Sequence, residues 1–389
     1  MCRPPKEVTE SMAPVRKPLI LVINPGSTST KVALFGGEDC LKEISLRVPA
    51  SHPGGDLWGQ FLPRLEGIRS WLAQEEIEGS RLSAVVGRGG LLRPVEGGTY
   101  RVGEAMLADA RGNRQGTHAS NLGCALARAV ADEATRGRET APGEAEDGLS
   151  GRGPVPAFIV DPVSTDEFGE LARYSGLREI QRRALSHSLS IHALVREVCR
   201  RQGREVQGSR FVVAHLGGGI SVCPVEGGRI LDANNANSGG PFSPTRAGGL
   251  PTQELLDLLE FGTFTVEGLR TATVKRGGLW SHLGTDDGLE VEKRIARGDA
   301  EARVVYEAMA YQIAKEIGAM ATVLKGVVEG IFITGGLASS ALLTGWIRER
   351  VDFLAPVEIV PEVGEMKALA LGALRVLRGE EEAKEYGIQ

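Results

Sequence analysis

Aromatic residues make up only 5% of this 389-residue chain, and it holds six histidines and five cysteines. The cysteines (Cys2, Cys40, Cys124, Cys199, Cys223) are odd in number, far apart and without a C-x-x-C pair. That spacing argues against a disulfide framework or a zinc site and reads as reduced thiols in a cytoplasmic protein. No apolar run approaches the ~20 residues of a membrane helix, and residues 1–18 lack the apolar core of a signal peptide. Basic charge is in short supply too: 45 Lys+Arg stand against 50 Asp+Glu, a formal net charge of −5. A nucleic-acid-binding protein would be expected to carry a basic face. No Gly-Lys dipeptide occurs, so there is no Walker-type P-loop, and no G-x-G pair extends to G-x-G-x-x-G. H-E-x-x-H and G-x-S-x-G are also missing, which removes the common metalloprotease and hydrolase readings.

Glycine is the residue in excess, at 52 of 389, about 13% against an ordinary share of ~7%. The glycines cluster at the ends of apolar runs, where tight turns or a close ligand need them. The runs themselves (18-PLILVI-23, 31-KVALF-35, 83-SAVVG-87, 155-VPAFIV-160, 210-RFVVAH-215, 220-ISVCPV-225, 330-GIFIT-334) have the length of buried strands. Helical periodicity marks 184–201, 252–260, 299–325, 337–350 and 365–378. Strands interleaved with helices predict an α/β protein. Residues 1–16 read as a flexible extension, and 134–154, polar and rich in Gly and Pro, as a surface loop. The segments 19-LILVINPGSTSTKVALF-35 and 210-RFVVAHLGGGISVCPV-225 share a strand–turn–strand grammar. Gly26 and Gly217 lie about half the chain apart, which predicts a duplicated domain with a ligand cleft between the copies.

Charged and hydroxyl residues gather at the glycine turns. In Asn24–Lys31, alternate residues Ser27, Ser29 and Lys31 can share one face and cradle an oxyanion; a polar hairpin tip is the plainer reading. In 215-HLGGG-219, Gly217, Gly218 and Gly219 bring backbone donors close to phosphate, if they are more than a flexible turn. Gly335 and Gly336 follow a strand and open a helix, a usual place for an anion. Arg88 in 87-GRGG-90 and Arg246 in 239-GGPFSPTRAGGLP-251 suit bidentate gripping of phosphate or carboxylate, though either could form a surface ion pair. Asp161 ends a strand, where α/β sites gather, or caps a helix. His118 and His187 are candidate donors to a phosphoryl group, or satisfied structural histidines. Glu365 opens the last helix as a magnesium neighbour or as an acid favoured by the helix dipole.

Together, in order, NPGSTSTK, VVGRGGLL, HASNLG, FIVDP, HLGGGISV, GGPFSPTRAGGLP and ITGG resemble the acetate and butyrate kinase family of the sugar kinase, heat-shock-70 and actin superfamily. The resemblance covers roughly residues 18–378, and GRGGLL, HASNLG and GPFSPTRAG are worded like the butyrate branch. It implies two duplicated ribonuclease-H-like lobes around a cleft: 17–161 plus 366–389 as one lobe, carrying the 134–154 insertion, and 162–365 as the other. It implies reversible phosphoryl transfer between ATP and a short carboxylate, with a homodimer and neither nucleic acid nor membrane as partner. By that resemblance Asn24 and Glu365 help place Mg²⁺, with Glu362 as the rival acid. Ser27, Ser29 and Lys31 touch the moving phosphate, and Arg88 and Arg246 hold the carboxylate and the planar phosphoryl group. Asp161 orients an arginine, His187 donates to the transition state with His118 nearby, His215 and Gly217–Gly219 take nucleotide phosphates, and Gly335 and Gly336 take the adenosine end. An acetate or propionate kinase is the alternative enzyme, and a nucleotide-gated binding module is the reading from another class.

Overall fold

A computed structural model describes residues 17–48, 57–140, 153–387 of the chain. Residues 1–16 and 141–152, on which the expected extension and most of the expected insertion fall, lie outside the described residues.

The strands are β1 (Leu19–Pro25), β2 (Ser29–Gly36), β3 (Asp39–Arg47), β4 (Ala84–Arg88), β5 (Thr99–Arg101), β6 (Ala157–Val160), β7 (Arg210–Leu216), β8 (Ile220–Glu226), β9 (Arg229–Ile230), β10 (Gly330–Thr334) and β11 (Val357–Ile359). The helices are α1 (Phe61–Gln74), α2 (Glu104–Arg111), α3 (Asn121–Thr140), α4 (Ser188–Arg201), α5 (Thr252–Glu260), α6 (Val266–Lys275), α7 (Gly278–Leu283), α8 (Gly288–Ala296), α9 (Ala300–Val323), α10 (Ala341–Val351) and α11 (Glu365–Leu377).

Two sheets carry the fold. The first has the order β3-β2-β1-β4-β6-β5 and the second β11-β10-β7-β8-β9. Read from its other edge, the second becomes β9-β8-β7-β10-β11, strand for strand the first five of the first sheet. Pairing directions match as well: β1/β2 and β7/β8 are antiparallel hairpins, while β1/β4, β4/β6, β7/β10 and β10/β11 are parallel. The duplicated architecture that the two hairpins predicted is therefore present. β1 reads as an unbroken apolar run because it sits mid-sheet with helices on both faces, and Ile20, Leu21, Val22 and Ile23 are fully buried. α1, α2 and α3 cover one face of the first sheet, and α11 covers the other. α8, α9 and α10 cover one face of the second sheet. Helix α4 faces both ways: Leu189 packs with the first sheet and α11, while Ile191, Leu194, Val195 and Val198 pack with the second. α4 and α11 thus form the seam between the halves.

Two expectations need correction. The loop predicted from residue 134 begins later, because α3 continues to Thr140. Ala134 is buried in the core, and the Arg138 guanidinium donates to the carbonyls of Ser80 and Leu82 at 2.9 and 2.5 Å. These tertiary contacts override a polar composition that reads as loop. The single helix expected over 337–350 is instead a short 3-10 turn, Gly336–Ser339, followed by α10, whose start is capped by the Ser340 hydroxyl accepting from the Leu343 N–H. β3 and β9 carried no apolar signal because both are edge strands, and β3 is largely exposed.

Candidate active site

The parallel strands β1, β4 and β6 end at one edge of the first sheet, and β7 and β10 at the matching edge of the second, where α/β proteins gather their ligands. Arg88 is the last residue of β4. Gly87 and Gly123 let α3 press against this strand end: a methyl on Gly123 would lie 2.1 Å from the Arg88 carbonyl oxygen. Buried Arg88 donates from Nη1 to the Asp161 carbonyl at 2.9 Å and has Nε 3.8 Å from Glu365 Oε1. Burial lowers its pKa, partly offset by the charges of Glu365 and Asp161.

Glu365 reaches this point because α11 lies tight on β6, where Gly372 faces Val160 with no room for a methyl. Its Oε2 accepts from Asn24 Nδ2 at 2.9 Å. Lys31 sits directly across the hairpin from Asn24, so their side chains share a face, with Ser29 one pleat on. Ser27 and Lys31 are exposed and Ser29 is half-buried at that tip. His118 lies near enough to Arg88 and Glu365 to feel both; partial desolvation at the rim and then the Arg88 charge lower its pKa. Its Nδ1 accepts the Ser120 N–H at 3.2 Å, which leaves Nε2 as the donor of a neutral ring.

From the second sheet come His187, His215 and Arg246. The two imidazoles stack with centroids 4.1 Å apart, and His187 Nδ1 meets the Ser221 hydroxyl at 2.9 Å. Burial, then His215, Arg246 and Arg88, hold the His187 pKa well below the ordinary histidine range. Both arginines, one from each half, thus lie close enough to His187 for their charges to act on it. Arg246 is held by its own loop: its N–H donates to the Ser243 hydroxyl at 3.2 Å, that hydroxyl donates to the Gly218 carbonyl at 2.7 Å, and Nη1 donates to the Ala236 carbonyl at 3.0 Å. Its guanidinium rests on Gly219, where an added methyl would stand 2.1 Å from Nη1. Burial lowers its pKa.

The remaining glycines line up beside this cluster. Thr334 pairs with His215 at the ends of β10 and β7, so Gly335 and Gly336 adjoin the Gly217–Gly219 turn. Gly335 has φ +92°, and any side chain there would strike the Leu216 carbonyl, 2.5 Å from the added carbon. The space beside Gly218 and Gly336 is open. His215 Nδ1 and Thr334 Oγ1 are buried there without a hydrogen-bond partner.

The profile of the acetokinase family matches residues 175–355. A protein of Caldanaerobacter subterraneus subsp. tengcongensis named probable butyrate kinase 2 is 46% identical over 374 residues, covering 95% of this chain and 99% of its own. A probable butyrate kinase of Listeria monocytogenes serotype 4a is 43% identical, covering 94% and 99%. The chain belongs to the acetokinase family. Acetate kinase from Porphyromonas gingivalis has the same fold at 17% identity, with a TM-score of 0.72 over 92% of this chain and all of that one. Acetate kinase from Entamoeba histolytica gives 0.71 at 14% identity, over 91% and 98%.

Within the acetokinase fold the structure brings Asn24, Arg88, His118, His187, His215, Arg246 and Glu365 into one neighbourhood, with the glycine turns alongside. Asp161 meets arginine twice: Arg88 bonds its main-chain carbonyl, while its carboxylate lies between His192, Nδ1 to Oδ1 2.9 Å, and Arg196, Nη1 to Oδ2 3.7 Å. Glu362 takes the Ser190 hydroxyl at 3.4 Å, on the α4 side. Sequence reasoning passed over Arg64, a buried cation on α1 that braces the first hairpin turn. Its Nη1 donates to the Ser29 carbonyl and the Thr30 hydroxyl at 3.0 and 2.8 Å, and Nη2 to the Gly26 carbonyl at 2.8 Å. The only hint in the sequence was an arginine on the face of α1 that also presents Leu65, Ile68 and Trp71.

Proposed function

We propose that this protein reversibly transfers the γ-phosphoryl group of ATP directly to a short-chain carboxylate of the butyrate type, giving an acyl phosphate and ADP. The gathering of two arginines, one from each half, around a neutral His187 carries this reading. A carboxylic acid is already ionised at pH 7, so its oxygen attacks phosphorus without a general base. The bond from phosphorus to the β–γ bridging oxygen breaks, and ADP departs with that electron pair. What remains for the protein is alignment and neutralisation of the equatorial oxygens. Arg88 holds the acid, Arg246 spans the planar phosphoryl group, and His187 donates from Nε2 while its Nδ1 is fixed by Ser221. Asp161 sets Arg88, and His118 lies beside it. Ser27, Ser29 and Lys31 meet the γ-phosphate from the opposite hairpin. His215, Gly217, Gly218 and Gly219 take the nucleotide phosphates, and Gly335 and Gly336 the adenosine end; the unpartnered His215 Nδ1 and Thr334 Oγ1 and the open space at Gly218 and Gly336 support that placement.

Asn24 and Glu365 would hold Mg²⁺, which neutralises phosphate charge when bound. Their amide and carboxylate oxygens are the hard donors it prefers. Among the described residues no cluster of three or more metal-ligating side chains occurs, which fits a cation carried largely by the phosphates rather than by a protein cage.

The lobes suggested by this plan are 17–161 with 366–389, and 162–365, closing over the nucleotide. A homodimer is part of the same reading. α5 and α6 contain no buried residue, and Leu256, Phe261 and Val266 on and between them are 51%, 78% and 59% exposed. Helices of this length are not stable in water unaided. α5 carries Glu254, Asp257 and Glu260, and the α6 end carries Arg270, Lys275 and Arg276, so a second copy pairing by two-fold symmetry meets opposite charge. Sedimentation of wild type against Phe261→Glu checks it: a dimer becoming monomeric supports the surface, and an unchanged species contradicts it. No described helix is long and apolar enough to cross a membrane, and the four described cysteines are free, which suits a cytoplasmic enzyme using ATP. The activity is tested by incubating protein with ATP, Mg²⁺, hydroxylamine and acids of two to five carbons. Hydroxamate peaking near four carbons is expected, a peak at two or three carbons would make it an acetate or propionate kinase, and none with any acid would defeat the proposal.

A further inference from the structure

Behind Arg88 lies a buried group of charges that the reaction does not consume. His192, on α4, is 3% exposed and stands between two carboxylates. Its Nδ1 is 2.9 Å from Asp161 Oδ1 at ion-pair distance, without hydrogen-bond alignment, and its Nε2 bonds Glu167 Oε2 at 3.1 Å. Asp161 is 1% exposed and has φ +38°, a left-handed conformation that strains a non-glycine residue. Gly98 grips it on both sides, its N–H donating to Oδ1 at 2.7 Å and its carbonyl accepting the Asp161 N–H at 3.0 Å. The carbonyl that this bent residue turns outward is the one that accepts Arg88 Nη1. Glu167 completes the group: Oε1 accepts the Gly97 N–H at 2.9 Å, and Oε2 the Ile230 N–H at 2.8 Å. Gly97 and Gly98 belong to the first half, and Ile230 lies on β9 of the second. There is no slack: a methyl on Gly97 would stand 2.5 Å from His192 Cε1.

We propose that His192 is a positioning residue: the Asp161–His192–Glu167 group is a fixed seam between the halves that locks the Asp161 main chain and thereby aims Arg88 at the carboxylate substrate. A strained residue persists only where its surroundings over-determine it, and here His192 and Arg196, the latter with Nη1 3.7 Å from Oδ2, flank the carboxylate while the Gly98 main chain holds Oδ1 and the Asp161 N–H. Burial alone would favour neutral imidazole, but the Asp161 and Glu167 carboxylates outweigh it and raise the His192 pKa to about 9, so the group is ionic at neutral pH. This assignment rests on the carboxylate-kinase reading, in which Arg88 holds the acid.

The test is His192→Gln, with His192→Lys to restore a cation in the same gap. Acid and ATP kinetics, melting temperature and a crystal structure are read for each. The expected result for His192→Gln is a KM for the acid raised about tenfold or more with the KM for ATP within twofold, and Arg88 Nη1 displaced from the Asp161 carbonyl. His192→Lys recovers most of the loss. A folded His192→Gln protein with unchanged acid KM and Arg88 still on that carbonyl overturns the proposal, as does a lysine variant no better than glutamine. Where His192→Gln fails to fold, Glu167→Gln decides: a rise in acid KM alone supports the proposal, and two unchanged KM values refute it. Wild-type protein inactive on every acid would refute the kinase reading instead, and the Arg88 displacement in the crystal structure would still answer the positional question.

Discussion

Gly219→Ala adds one methyl group and should silence the enzyme without unfolding it. The new carbon would lie 2.1, 2.5 and 3.0 Å from Arg246 Nη1, Cζ and Nε. Non-bonded contact needs ~3.5 Å or more, so the guanidinium must retreat by roughly 1–1.5 Å and surrender its bond to the Ala236 carbonyl. A long side chain can move cheaply, and Gly219 does not have a positive φ, so the melting temperature should shift by only a few degrees. The reaction is less forgiving. A donor displaced by ~1 Å from the developing charge costs about 10² in rate, and losing one such donor outright costs ~10²–10³, or about 3–4 kcal/mol. The expected outcome is a kcat lowered 10²–10³-fold, close to that of Arg246→Ala, with the double variant no worse than Arg246→Ala because both act through one group. Gly318→Ala, in α9 with nothing near the added methyl, is the control. Initial rates of acyl hydroxamate formation and thermal melts measure both quantities. A Gly219→Ala kcat within threefold of wild type would refute the placement of Arg246 at the transferring phosphoryl group, as would a double variant showing the product of two separate losses.

Arg64→Met removes the brace behind the first hairpin turn while keeping the length of the stem. Loss of a charged donor to three hairpin acceptors and to Gln60 Oε1 should cost about 1.5–3 kcal/mol of stability, read in urea unfolding, and should raise the KM for ATP without changing that for the acid. The His192 ion group sets a pH dependence. Its folded pKa, about 9, lies above the ordinary ~6.5, so its contribution, about 3 kcal/mol, is full below pH ~6.5 and lost as pH rises through 9. Asp161 acts in the opposite sense: burial would raise its pKa, but His192, Arg196 and the Gly98 N–H outweigh burial and hold it well below the ordinary carboxylate range, so its contribution fades only in strong acid. Melting temperature against pH should fall between about 6.5 and 9 in wild type, and the fall should be smaller in His192→Gln.

The glycine turns were legible in the sequence because glycine is required there: φ at Gly335 and the contacts at Gly219 leave no room for a side chain. The two hairpins announced the duplication because central strands are buried on both faces and read as plain apolar runs. Edge strands β3 and β9 and the polar end of α3 were silent, since their stability comes from partners distant in sequence. The same reason hid Arg64 and the Asp161–His192–Glu167 group. A buried charge looks like a surface one until its partners are known, and Glu167 lies 25 residues from His192. Asp161 was visible as a strand-end carboxylate, but that its carbonyl would meet Arg88 while its side chain met His192 and Arg196 depended on partners distant in sequence.

The claim on which the account turns is that Arg88, Arg246 and His187 bring the acid oxygen and the γ-phosphorus together in one direct step. ATP made chiral at the γ-phosphorus with oxygen isotopes and sulfur, turned over with butyrate and analysed for configuration at phosphorus in the acyl phosphate, measures this. Inversion is the result the cleft predicts, and retention, the sign of a phosphorylated enzyme residue between two displacements, would contradict it.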